Sequence, residues 1–511
     1  MNPILSVAQM RDVDRAAIGG DSSIGYPYMQ KAGMGLYRAA IEMVPDPSSG
    51  EIAIVCGKGN NGGDGYVAGR LLINAGYRAV CYSLVSPEKL TGECLLAYRD
   101  YIAGKSPVVT VDDIADIPHP SRFSLIIDAL LGTGLKGNPH GLYAHMIEFI
   151  NNSRLPVLAV DTPSGLDNDT GLPATPCIHA TVTVAMGFSK TGLHFFPGRS
   201  FSGKLIVEDL SYPDELVLGT GPFLFHPESS DLRKIFPPRH PDGSKFDHGL
   251  ALLVGGSPGM TGSITLTAEA ALRCGCGMVH CAVAPSIAQI LSIKLTEPVL
   301  HFLPAAESGS LDRSAEEPLL HLAQRMQALC IGPGLSHSPH TSELVRALIT
   351  RCPLPTLLDA DGINAYKGSS EELRNHAGPL LITPHTGEWE RLFGTLPAAA
   401  PERIALVRDT ARRLQICILL KGNPTLIASP DGTVVLAPFG NSSLAKSGSG
   451  DVLSGCITSF TAQGVPLQDA ALLGAYIHGT AGEKASLELT EYSVTARDVI
   501  DCIAYVMQSL L

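Results

Sequence analysis

The sequence predicts an α/β protein of two domains, each built on a parallel sheet sandwiched between helices. Three observations point there. Short β-branched apolar runs recur through both halves, with helical stretches between them. These runs lack in/out alternation, as strands do when a parallel sheet is covered on both faces. The rhythm breaks once, over residues 211–248, where Pro and Gly are frequent and no period is sustained.

Taken in order, the chain opens with a helical pattern over 6–18, with Ser6 as its N-cap. Strands are expected at 51–56, 78–84, 108–111, 125–130, 157–161, 180–186 and 205–209. After the junction they resume at 250–256, 279–284, 328–331, 355–361, 380–383, 416–421, 425–428 and 434–437, and a long helical tail follows Asp451. The expected division is a first domain over 1–215, a linker over 216–240 and a second domain over 241–511.

Composition narrows the function classes. The 511 residues carry 37 Lys+Arg against 49 Asp+Glu, a net charge of −12 that argues against a nucleic-acid binder. Phosphate-bearing small molecules stay possible, because backbone N–H groups hold phosphates without cationic side chains. Apolar residues at 45 % fill two cores, and no apolar run approaches the roughly 18 residues of a spanning helix, so no membrane role is expected. The N-terminus lacks a basic stretch before a long apolar segment, so no secretory leader is expected either. Twelve Cys with no C-x-x-C pair read as reduced core thiols in a cytoplasmic protein, and no Cys/His cluster has zinc spacing.

Three strand-end loops of the first half carry chemistry. The run EIAIVC leads into GKGNNGGDG, where Gly57, Gly59 and Gly62 match the G-x-G-x-x-G phosphate-binding spacing at a helix start. A dinucleotide-binding Rossmann unit should then show an acid about 20 positions on. Here the second strand ends Cys81-Tyr82-Ser83-Leu84, and no acid appears before Glu88, which weighs against that plain reading. The second loop follows LIIDALLGTGLKGN and the third follows VLAVDTPSGL. A strand-end carboxylate can merely cap a helix, but three such loops on one sheet edge favour a site. Asn61, Asp128 and Ser164 together offer hard oxygen ligands for an alkali or alkaline-earth cation. Asp161 is the candidate acid/base.

GNNGGDG, DALLGTG and D-x-PSGL, in this order, resemble the N-terminal domain of the bifunctional NAD(P)H-hydrate repair proteins. The resemblance implies a Rossmann-like epimerase of R and S hydrated NADH or NADPH. It implies that Asn60, Asn61, Gly62, Gly63, Asp64, Gly132, Thr133, Gly134, Leu135, Lys136, Gly137, Asn138 and Asp161 hold the hydrate. It further implies K⁺ on Asn61, Asp128 and Ser164.

The second half points to phosphoryl transfer. Asn441 opens the loop NSSLAKSGSGD, in which Gly448 and Gly450 let amides converge on an anion at the start of an apolar helix. Asp451 stands in the first turn of that helix, where simple N-capping would also place it. No Walker A motif is present. The G-x-G-D element resembles the anion hole of ribokinase-like kinases, whose Asp is a general base toward a substrate hydroxyl. With KFDHG, GGSPGMTGS, IGPGL, LDADGINA, TPHTGE and LLKGNPT, the half is more similar still to the ADP/ATP-dependent NAD(P)H-hydrate dehydratases. That implies a ribokinase-like fold and Mg²⁺ with ADP or ATP.

By this resemblance Lys421, Gly422, Asn423, Pro424, Thr425, Asn441, Ser447, Gly448, Ser449 and Gly450 bind the nucleotide. Gly262, Ser263, Gly334, His385 and Asp451 line the hydrate pocket. Ser244-Lys245-Phe246 and Ser447-Gly-Ser-Gly depart from the family's usual His-Lys-Gly and Gly-Gly-x-Gly while keeping the Lys, the Gly pair and the Asp. Fusion of both halves resembles the prokaryotic arrangement and implies ADP. The expected function is thus repair of hydrated NADH and NADPH by epimerisation and dehydration, with small-molecule substrates alone. The competing readings are a ribokinase-like kinase of a small alcohol with an N-terminal nucleotide-binding module, and a non-catalytic nucleotide sensor. A homo-oligomer is expected, with apolar residues of the first helix serving an interface.

Overall fold

A computed structural model of the chain describes residues 1–134 and 137–511. They form two compact units, one of residues 3–222 with 399–401, the other of residues 1–2, 223–398 and 402–511. The chain begins with a two-residue strand, β1 (Asn2–Pro3), followed by α1 (Val7–Ile18). Ser6 caps α1: its hydroxyl accepts from the Gln9 amide at 3.2 Å while the Gln9 side chain accepts from the Ser6 amide at 3.0 Å. Met10 and Val13 on α1 are buried within this first unit. These two apolar residues of the first helix are therefore used in packing their own unit.

The first unit's sheet comprises β2 (Glu51–Cys56), β3 (Arg78–Ser83), β4 (Val108–Thr110), β5 (Phe123–Ala129), β6 (Val157–Val160), β7 (Val182–Met186) and β8 (Lys204–Glu208). Their order is β4-β3-β2-β5-β6-β7-β8, with every pairing parallel. The strand order reverses between β2 and β5, so the crevice beyond their carboxyl ends is the topological switch point where such sheets bind ligands. Two helices flank it, α2 (Ser22–Met43) and α3 (Asn60–Asn74).

The second unit holds β9 (Leu224–His226), β10 (Leu250–Val254), β11 (Met278–Val283), β12 (Val299–Phe302), β13 (Ala328–Ile331), β14 (Thr356–Leu358), β15 (Leu380–Ile382), β16 (Cys417–Leu420), β17 (Thr425–Ala428) and β18 (Val434–Ala437). The order is β9-β18-β17-β16-β15-β14-β13-β10-β11-β12, with β1 at the β9 edge. Pairing is parallel from β12 to β16 and antiparallel at β16/β17 and β17/β18. Here the switch point lies between β10 and β13. The two-domain α/β expectation matches this architecture.

Three differences from the sequence reading have physical causes. The strand expected over 157–161 stops at Val160 because Asp161 has φ 63°, and the one expected over 355–361 stops at Leu358 ahead of Ala360, with φ 48°. Left-handed residues break the ladder. The stretch expected to be a linker over 216–240 instead contains β9, paired with β18, and a helix, Ser229–Ile235, whose Leu232 joins the second unit's core. Each piece is too short to show a period between its Pro and Gly flanks. The same holds for β12, which follows Pro298 and was not expected. None of the twelve cysteines is paired, and all but Cys502 are buried.

The helix Ser449–Ala462 packs on the helix Thr261–Arg273 through Gly455, where an added Cβ would lie 2.3 Å from the Thr267 carbonyl oxygen and 2.7 Å from Ala270 Cβ. Gly455→Ala is expected to cost about 1–3 kcal/mol through overpacking, read as a lower denaturation midpoint of the second unit.

Candidate active sites

In the first unit the Gly57–Gly62 spacing has a steric reason. A Cβ on Gly57 would sit 2.0 Å from the Leu130 oxygen, and one on Gly62 would sit 2.1 Å from the Gly57 oxygen. The β2 loop, the β5 loop and the start of α3 are thereby packed backbone to backbone. This brings α3 against a cavity of about 200 Å³ lined by Asn60, Asn61, Asp64, Thr133 and Asp161 among the expected residues. Gly63 faces Met29 and Cys94, and Gly132 packs on the Asn61 amide. Asn138 accepts from the Thr175 amide at 3.1 Å, while Leu135 and Lys136 lie outside the described residues.

Sequence reasoning missed Asp14, Lys190 and Tyr212, which line the same cavity. The Lys190 ammonium, 1 % exposed, donates to Asp161 Oδ1 at 2.5 Å, and the Met186 amide donates to the same oxygen at 3.0 Å. These bonds hold the strained left-handed Asp161 in place, the kind of outlier that gathers at functional sites. The Tyr212 hydroxyl donates to Asp14 Oδ1 at 2.6 Å. Lys190 sits in GFSKTGL, beyond β7, and a Lys four residues past a buried strand was the one available signal.

Asp128 is fully buried and accepts from the Ser164 hydroxyl at 2.6 Å and the Ser164 amide at 2.8 Å. Burial pushes its carboxyl up to about 6 despite these bonds. Asn61 reaches the same corner, its amide donating to the Leu131 and Val160 carbonyls. A buried carboxylate with a hydroxyl, an amide and, among the described residues, no cationic side chain bonded to it is an oxygen-rich donor set that fits an alkali cation.

In the second unit Ser263 lies beside Asp451, and Gly334 packs against Met260 and Ser263, so three of the expected hydrate residues meet. Gly262 faces open space beside them. Burial, and then the charge of Asp359, push the Asp451 carboxyl up to about 6. Lys421 donates to Asp359 Oδ1 at 2.6 Å and lies 3.4 Å from the place of a Gly450 Cβ, which joins the two nucleotide segments. Burial opposes ionisation of Asp359, but the Lys421 charge and bonds from Lys421, Ser454 and Thr383 outweigh it and hold the carboxyl below its ordinary range. Asp359 stands in the LDADGINA motif but was not singled out, because its partner is remote in sequence.

Several expected ligands have local structural work. His385 caps the helix Thr386–Phe393, its Nδ1 accepting from the Gly387 amide at 3.0 Å. Asn441 bonds Ser486 and caps the turn at Ser443. The Ser449 hydroxyl meets His478 Nε2 at 3.0 Å, Thr425 closes its turn on the Gly422 oxygen, and the Asn423–Pro424 peptide is cis. Gly448, with φ 88°, turns the backbone into the helix, and Ser447 is exposed beside it.

Comparison with known proteins decides the family. A model described as NAD(P)H-hydrate dehydratase matches residues 251–504, and one described as YjeF-related protein N-terminus matches residues 26–192. The bifunctional NAD(P)H-hydrate repair enzyme Nnr of Moorella thermoacetica is 39 % identical over 518 residues, covering 99 % of this chain and 97 % of its own. The chain belongs to the bifunctional NAD(P)H-hydrate repair enzyme family. The Escherichia coli member is 30 % identical over 479 residues, covering 94 % of this chain and 88 % of its own. A solved Bacillus subtilis ADP/ATP-dependent NAD(P)H-hydrate dehydratase, co-crystallized with ATP/Mg²⁺, is 27 % identical, with a TM-score of 0.47 over 56 % of this chain and 98 % of that one.

Lys421→Met strands the Asp359 charge in the second unit and is expected to cost about 3 kcal/mol, the low end for breaking a buried ion pair. The measurement is the denaturation midpoint at pH 7, and an unchanged midpoint refutes the pairing.

Proposed function

We propose that this chain repairs hydrated NADH and NADPH. Residues 1–215 interconvert the R and S hydrates, and residues 241–511 dehydrate the S hydrate with ADP or ATP. The observation that carries the second activity is the Asp451 carboxyl. It is mostly buried beside Ser263 and lies in the first turn of the helix that Gly448 opens. Family membership supports the substrate.

Hydroxide is a poor leaving group, so direct loss of water from the hydrated ring is slow. Asp451 accepts the proton of the ring hydroxyl as that oxygen attacks the terminal phosphoryl group of the nucleotide, whose bridging P–O bond breaks to release the nucleotide shortened by one phosphate. The amides of Gly448–Gly450, at a helix N-terminus, stabilise the developing negative charge, and Lys421 lies beside them. Phosphate then departs, pushed by the ring nitrogen lone pair, and loss of a proton from the neighbouring ring carbon restores the reduced nicotinamide.

Mg²⁺ would neutralise phosphate charge. Among the described residues no three His, Cys, Asp or Glu converge, which suits an ion carried mainly by phosphate oxygens and water. In the first unit Asn61, Asp128 and Ser164 would hold K⁺, whose charge offsets Asp128. Fusion of the two activities supports ADP as donor, and unpaired thiols suit a reducing, cytoplasmic setting.

Incubated with hydrated NADH and ADP or ATP, the protein should restore the absorbance of the reduced ring from both epimers. Recovery from neither would refute the assignment. Asp451→Asn should lower the dehydration rate about 100-fold or more, and a wild-type rate sinks the general-base role. Because Asp451 must be ionised to act, dehydration should fall about tenfold per pH unit as pH drops below about 6. A rate flat from pH 7 to pH 4.5 contradicts this.

A further inference from the structure

The carboxylates at the first unit's cavity are not equivalent. Asp161 is paired with Lys190 and bonded by the Met186 amide. Asp14 is held by the Tyr212 hydroxyl. Asp64, 6 % exposed, lines the same cavity, yet among the described residues nothing donates a hydrogen bond to it. A buried carboxylate without donor or cation is favoured as the neutral acid. Burial, and then the charges of Asp161 and Asp14, push the Asp64 carboxyl well above its ordinary range. The cavity therefore offers a proton on Asp64 and, on Asp161, a carboxylate fixed by Lys190 and the Met186 amide.

We propose that Asp64 is the general acid of the epimerase site and Asp161 the complementary base, so that the ring hydroxyl leaves as water and returns from the opposite face. This rests on the reading of the first unit as an epimerase of NAD(P)H hydrates. In the forward step Asp64 gives its proton to the hydroxyl oxygen. The C–O bond breaks with its electron pair going to the departing water, and the ring nitrogen lone pair forms a C=N bond. A water on the other face then attacks that carbon, the C=N pair returns to nitrogen, and Asp161 takes the proton. One proton has moved from Asp64 to Asp161, and none is consumed. The reverse conversion runs the pair the other way, and solvent resets it.

Two measurements on the full chain test this. In H₂¹⁸O, wild-type protein acting on the R hydrate of NADH should place one solvent oxygen in the ring hydroxyl for each inversion. Inversion that retains the original oxygen overturns the C–O cleavage step. Asp64→Asn, nearly isosteric but unable to donate the proton, should lower kcat about 100-fold or more with KM changed less than about threefold. Asp64→Glu, which keeps the acid, should recover part of the loss. A near wild-type kcat for Asp64→Asn overturns the assignment. So does no recovery in an Asp64→Glu protein whose thermal unfolding matches wild type, because that outcome makes Asp64 structural. If the wild-type chain does not interconvert the epimers at all, the epimerase reading itself fails and takes this assignment with it.

Discussion

Strands buried on both faces can present polar side chains only at their ends, and the chemistry of both units follows from that constraint. In the first unit Asp128 is the penultimate residue of β5, and Asp161 immediately follows β6. In the second unit Asp359 immediately follows β14 and Lys421 immediately follows β16. Every one of these residues stands at a carboxyl end, on the edge where parallel sheets collect ligands. Backbone packing then sets their spacing. Gly57 and Gly62 let the β2 loop and α3 touch in the first unit, and Gly332 does the same in the second, where a Cβ would meet the Asp359 oxygen at 1.8 Å.

An acidic chain that handles anionic substrates must compensate its own carboxylates locally. Asp161 uses Lys190, Asp14 uses the Tyr212 hydroxyl, Asp128 uses Ser164, and Asp359 uses Lys421 with Ser454 and Thr383. Each pairing lowers the cost of burial and fixes a rotamer. Asp451 keeps a raised carboxyl with only Ser263 beside it to lower it among hydroxyls, and nothing among the described residues donates to Asp64. Burial with little compensation raises a carboxyl above its ordinary range, which favours general acid/base chemistry. The structure thus separates carboxylates fixed by a close partner from Asp64 and Asp451, whose burial is least compensated.

Much of this was legible in the chain. The strand runs, the helix cap at Ser6, the three glycine loops of the first half and the G-x-G-D element of the second are local patterns, set by dihedral preference and side-chain period. Motif order led to the family, the strand-end rule led to Asp128 and Asp161, and the glycine loop at a helix start led to Asp451. Less visible were elements too short to carry a period, such as β9 and β12. The pairing of Lys190 with Asp161 joins residues 29 positions apart, and that of Lys421 with Asp359 joins residues 62 apart. No local pattern encodes such a partner.

Sequence by itself therefore determined the α/β class, the position of the glycine-rich loops and the identity of the residues at strand ends, because those depend on nearest neighbours along the chain. Tertiary structure alone decided which carboxylate is paired and which is left with its proton. It turned Met10 and Val13 of α1 inward, drew β9 out of the expected linker and made His385 a helix cap. The reason is physical: burial and charge compensation are properties of a surrounding volume, and that volume exists only once distant segments have packed.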